Sequence, residues 1–170
     1  MSSPSPFAPL EGRAAELVAL LRLQPHPEGG HYREIYRAAD RVQPADERPA
    51  RSGLTSIHFL LARGECSRWH RVTSSEAWHW AEGDELELLV APPRFDSVAR
   101  VRLGRASSTV RPSYVLPPGW WQAARARGAY ALSGCTVGPG FDFADFSFLR
   151  DDVALADRLR ALDGDAATLL

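Results

Sequence analysis

A chain of 170 residues, 45% apolar and 24% charged, is long enough for one domain with a full hydrophobic core. A net charge of −1 gives no electrostatic footprint for nucleic acid or an anionic membrane, and no apolar run approaches the roughly 20 residues of a membrane span. All 20 basic residues are arginine, which excludes lysine-dependent Schiff-base and phosphate-loop chemistry. The two cysteines, with no CxxC spacing, make neither a disulfide scaffold nor a thiolate metal site. The N-terminus lacks the basic and apolar regions of a signal peptide, so a soluble cytoplasmic protein with reduced thiols is expected.

Residues 1–9, with three prolines and three serines, read as a disordered leader to a single domain over 10–170. From Glu11 to Leu23 the apolar residues Ala14, Leu17, Val18, Leu20 and Leu21 recur at helical spacing until Pro25 and Pro27 stop the helix. In QPHPEGGHYREIYR, His26, Glu28 and His31 have the side chains of metal ligands. Pro27 and Gly29–Gly30 favour a tight turn into a strand through Tyr32, Ile35 and Tyr36, and the turn is the preferred reading. Glu28, beside two glycines, can still reach a pocket. Residues 38–52 are polar and read as a surface loop. From Leu54 the chain is β, with short strands punctuated by turns through LTSIHFLL, SRWHRV, EAWHWAEG, ELELLVA, VARVRLG, RPSYVL and GAYALSGCTVG. Residues 151–162 return to an amphipathic helical pattern. Such strands with a helix at each end predict a barrel or double-sheet jelly roll.

The stretch from Gly64 to Gly83 concentrates the chemistry. Side chains alternate along a strand, so an inward His70 brings Arg68 and Val72 with it, and an inward Glu76 brings Trp78 and Trp80. The predicted lumen holds His70, Glu76, Trp78 and Trp80, with Arg68 near the rim, and His79 on the opposite face.

The spacing Gly64, His70, Val72, Glu76, Gly83 resembles the first motif of the cupin superfamily, with Val72 where most members carry a second histidine. The second motif is matched by Pro117 and Gly119, with Gln122 in the place of its histidine and Ala126 in the place of its asparagine. The blocks HPEGGHYRE, SRWHRV, EAWHWAEGDELELL, PPGWWQAA and GCTVGPGFDFADF are similar, in order, to a cupin subfamily of uncharacterised function, the fifth Cupin family, over about 17–149. The resemblance implies an all-β double-stranded β-helix, the cupin jelly-roll barrel, with an N-terminal and a C-terminal helix, and a homodimer. Strands near 31–37 could add to a neighbour's sheet edge.

In metal-binding cupins two or three histidines and a glutamate hold a divalent ion. Here the matching positions leave two good ligands, so no cofactor is expected; a divalent metal, if held weakly, would use His70, Glu76 and Gln122. Metal-free cupins include sugar-nucleotide epimerases, and by that resemblance His70 is the expected base, with Glu76 orienting it or acting as the acid. The substrate-binding residues expected are Arg68 for an anionic group, Trp78 and Trp80 for ring stacking, Gln122 for oxygens, and Glu28. The expected ligand class is a small polar metabolite, carbohydrate-like or nucleotide-linked, and the expected activity is that of a metal-independent epimerase, isomerase or lyase. The alternatives are a non-catalytic binding or sensing module and a metal-dependent enzyme with a degenerate site. His70 with Glu76 could equally be a satisfied polar pair, and each tryptophan alone is more often core.

Overall fold

A computed structural model describes residues 10–170; the expected leader, residues 1–9, lies outside them. Helix α1 (Gly12–Leu21) leads to β1 (Gln24–Pro25) and β2 (His31–Arg37). The segment read as a loop contains a short ribbon, β3 (Arg41–Val42) with β4 (Arg51–Ser52). Next come β5 (Thr55–Ala62), β6 (Cys66–Val72), β7 (Ser75–Gly83), β8 (Leu86–Ala91) and β9 (Ala99–Leu103). They are followed by β10 (Ser113–Leu116), β11 (Trp121–Ala126), β12 (Tyr130–Gly138) and β13 (Phe146–Phe148). Helix α2 (Val153–Leu162) and a 3-10 turn (Ala166–Leu169) close the chain.

Two antiparallel sheets face one another, ordered β1-β2-β5-β12-β7-β10 and β13-β6-β11-β8-β9. This is the jelly roll expected from the strand pattern. Phe59, Leu61, Trp78, Leu86, Leu88 and Leu116 fill the space between them. A second core lies outside the five-stranded sheet, where Trp69, Phe95 and Trp121 meet Leu159 and Leu169 of the C-terminal segment. The Trp69 indole donates to the Ala166 carbonyl at 2.8 Å, tying that segment down. Strand β8 is therefore buried on both faces, with Leu88 toward the lumen and Leu89 toward the tail, which is why LELLVA is almost continuously apolar. Helix α1 covers the other sheet, setting Ala14 and Leu17 on Leu60 and Leu132. Among the described residues no helix is long and apolar enough to cross a membrane, and both cysteines are free thiols.

The turn before β2 positions the site. The His26 amide donates to the Gly30 carbonyl and the Gly29 amide to the His26 carbonyl, closing the loop on itself. The loop then docks on β6, where the Arg68 amide donates to the Glu28 carbonyl at 2.9 Å. Gly29 sits at φ +113°, and a Cβ there would lie 2.1 Å from the Cys66 carbonyl oxygen. No side chain fits without pushing the loop off the strand. Gly29→Ala is expected to cost about 2–4 kcal/mol, read as a lowered denaturation midpoint. A loss below about 1 kcal/mol would show that this close approach is dispensable.

Candidate active site

The lumen opens into a cavity of about 370 Å³ at one end of the sandwich. Its buried end carries His26 and Glu28 from the turn, His70 from β6 and Glu76 from β7. The expected pair His70 and Glu76 is thus brought together, and Glu28 joins it. His26, read from sequence as part of a tight turn, does lie in that turn and also lines the cavity. The available signal was its place two residues before Glu28, which puts both side chains on one short, folded-back loop.

The protonation pattern follows from partners that can only donate or only accept. The Arg68 carbonyl lies 2.7 Å from His70 Nδ1 and can only accept, so Nδ1 carries a hydrogen and Nε2 holds the lone pair. That Nε2 faces Glu28 Oε2 at 3.3 Å. Ser67 Oγ donates to Glu28 Oε1 at 2.9 Å. The Glu28 amide donates to His26 Nδ1 at 3.3 Å, leaving the hydrogen of neutral His26 on Nε2.

Burial sets the charge states. It pushes the Glu28 carboxyl up to about 8 against the opposing Ser67 hydrogen bond, and lowers His70. A protonated Glu28 facing the Nε2 lone pair of a neutral His70 satisfies both groups without a buried charge. Glu76 is raised to about 7, chiefly by burial and also by Glu28, against the pull of His70 and Gln122. Burial, with His70 nearby, lowers His26 to about 3.

Gln122 positions Glu76. Trp78 Nε1 can only donate, and it does so to Gln122 Oε1 at 2.8 Å, fixing the amide so that Nε2 donates to Glu76 Oε2 at 2.5 Å. Neither Gln122 nor Trp78 lines the cavity, so these two expected ligand contacts act from behind it. Trp80 also lies outside the lining: it packs against the core between the sheets, and its indole donates to the Asp84 carbonyl. Arg68 is half-buried and its side chain is not part of the lining; it is the peptide groups of Arg68 that orient Glu28 and His70. His79 is exposed, on the opposite face as expected.

The walls come from a stretch whose role the sequence reading did not identify. Phe141, Phe143 and Phe146 form an aromatic rim, with the Phe146 ring stacked on His70 at 5.2 Å and Phe143 outermost and 59% exposed. Strand β13 supplies Phe146 by pairing with β6, register Phe146 to Val72. At the mouth Arg37 is held by Glu34 at 2.7 and 3.0 Å and donates to the Phe141 carbonyl.

The four positions that hold metal in metal-binding cupins do not fit an ion here. Val72 has no donor atom. The Gln122 oxygen is taken by Trp78 and its nitrogen is turned to Glu76. Two donors remain where a transition metal wants three or more. Among the described residues no group of three or more His, Cys, Asp or Glu is placed to hold a metal ion.

Comparison with known proteins gives the same architecture. A family model described as the cupin superfamily, DUF985, matches residues 15–149. A hypothetical protein from Leishmania major is 31% identical with a TM-score of 0.75, over 80% of this chain and 86% of that one. A Shewanella oneidensis protein is 29% identical with a TM-score of 0.76, over 94% and 95%. Oxalate decarboxylase from Bacillus subtilis, at 15% identity and a TM-score of 0.55 over 81% of this chain and 33% of that one, shares the fold. No curated protein matches.

The raised Glu28 has a consequence for stability. An acid whose folded pKa exceeds its unfolded value keeps a proton that the unfolded chain has lost, so stability falls as pH rises from 4.5 toward 8. His26, lowered, acts oppositely between about 3 and 6.5, which leaves the fall uncompensated by it above 6.5. Glu28→Gln, which can still accept from Ser67 and donate to His70, is expected to raise stability near pH 8 by about 1–3 kcal/mol and to flatten that fall. Denaturant titrations at a series of pH values check this; an unchanged slope would mean that Glu28 ionises as an ordinary carboxylate.

Proposed function

The chain belongs to the cupin superfamily, in the family described as DUF985, and from that premise we propose that its lumen binds a small polar metabolite and moves a proton on it without a metal. The observation that carries the proposal is the His70–Glu28 contact at 3.3 Å inside a cavity of about 370 Å³. The couple holds one mobile proton between an imidazole and a carboxyl. It gives a proton while Glu28 is protonated, and once deprotonated it takes one at His70 Nε2, as removal of a proton next to a carbonyl requires. Glu76, oriented by Gln122, is the second acid, reaching a substrate oxygen. The reaction class is isomerisation, epimerisation or lyase-type elimination. Of the expected ligand classes, the lining supports a compact carbohydrate-like ring over a nucleotide-linked one, since its only arginine, Arg37, is already paired with Glu34.

The test is solvent exchange. Incubated in D2O with a mixture of small ketoses, aldoses and amino sugars, the protein is expected to place deuterium beside the carbonyl of at least one component. His70→Ala should reduce the rate by about 100-fold or more, and the wild-type rate should rise toward pH 8 as the couple deprotonates. Saturable binding of a component with no deuterium incorporated would instead make the protein a binding or sensing module.

Assembly is proposed on separate grounds. Strand β1 pairs only with His31 and Tyr32, so among the described residues the outer edge of β2 from Arg33 to Arg37 has no strand partner, and Ile35 and Tyr36 are half exposed beside it. A two-fold partner strand would cover this edge; light scattering is expected to give the mass of two chains.

A further inference from the structure

The charge of the lining says more about the ligand than its size does. Glu28 and Glu76 stand at the buried end and Glu34 and Asp142 at the mouth, against one guanidinium, Arg37, which Glu34 already holds by two hydrogen bonds. The two imidazoles do not make up the deficit, because burial disfavours their charged forms. Cys135 on β12, facing the same cavity, is likewise kept as a neutral thiol. Glu76 supplies an independent sign of a missing partner. It is 93% buried by its 7% exposure, Gln122 holds its Oε2, and among the described residues its Oε1 has no hydrogen-bond or ion-pair partner. Oε1 is thus an open acceptor at the inner end of the cavity.

We propose that the cavity takes a small organic cation, its protonated nitrogen at the Glu28–Glu76 end and its ring or apolar body against Phe141, Phe143 and Phe146. This rests on the lumen being a small-molecule site, and it adds the charge class of the molecule. A cation supplies the partner that Glu76 Oε1 lacks and offsets the repulsion between the two carboxylates. Phenyl faces at the rim attract a cation on its way in and pack against the body of the ligand once it is seated. An anion meets two buried carboxyls that would have to stay protonated.

Three probes of one shape and three charges test this: benzylammonium, benzyl alcohol and benzoate. Calorimetric titration of the full-length protein near pH 8 is expected to give benzylammonium an affinity about tenfold above benzyl alcohol, with benzoate the weakest. Glu76→Gln is expected to bring benzylammonium and benzyl alcohol within about twofold of each other. If that variant does not fold, Glu28→Gln, which should narrow the same preference, decides. Equal affinity for the three probes, preference for benzoate, or retention of the full preference in Glu76→Gln would each overturn the proposal. So would absence of binding by all three at millimolar concentration, which would remove the small-molecule reading of the lumen as well. A charge preference without deuterium exchange on sugars would leave this inference standing and remove the catalytic reading.

Discussion

The constraint on which the site depends is the contact between two backbones, Gly29 against the Cys66 carbonyl. It lets a loop that precedes the barrel lie flat on β6 and carry Glu28 into the lumen. The peptide groups of Arg68 then serve both partners, the amide donating to the Glu28 carbonyl and the carbonyl accepting from His70 Nδ1. One residue of one strand thus fixes the position of the carboxyl and the tautomer of the imidazole. Ser67, next to it, holds the other Glu28 oxygen. The Glu28–His70 contact is held in place by Cys66, Ser67 and Arg68 of β6, which reach a loop that lies 39 positions before Ser67 at Glu28.

Burying ionisable groups in such a place is costly, and the molecule limits the cost by keeping them neutral or hydrogen-bonded. Glu28 and His70 form a neutral pair. Glu76 leans on Gln122, and Gln122 is locked by an indole that can only donate. The chain Trp78–Gln122–Glu76 crosses from one sheet to the other and begins in the fully buried core. Its rigidity comes from core packing rather than from the cavity wall, so the carboxylate can keep one oxygen open without losing its orientation.

Much of this was legible in the sequence, for identifiable reasons. Alternation and turn residues mark the strands, and the helices at 11–23 and 151–162 are found within two residues at Gly12–Leu21 and Val153–Leu162. Strand parity correctly places His70 and Glu76 on one lumen. Parity also turns Trp78 and Trp80 inward, but it is too coarse to say what they face: both pack on the core between the sheets rather than on the cavity. It mistakes the rim at Arg68, where the peptide groups are used and the side chain is not. His26 was hidden because a Pro–Glu–Gly–Gly turn looks the same whether it faces water or a barrel; only the approach of Gly29 to β6 separates the two. The aromatic rim was hidden because β13 is three residues long and pairs with β6 across a separation of more than 70 residues, leaving no local periodicity to read.

Val72 gives the arrangement its sense. It is buried and lines the cavity where most cupins place a histidine, and an aliphatic side chain there removes a ligand without replacing its chemistry. Glutamine at position 122 removes another, because its oxygen is spent on Trp78. A divalent ion would have neutralised the carboxylate of such a site; with the donor set reduced, the negative charge has to be managed by protons or by the ligand. Glu28 raised to about 8 and Glu76 to about 7 are that proton management. Val72 and Gln122 each withdraw a donor from the lumen, while Glu28, carried in by the loop before β2, brings a buried carboxyl that Ser67 and His70 satisfy.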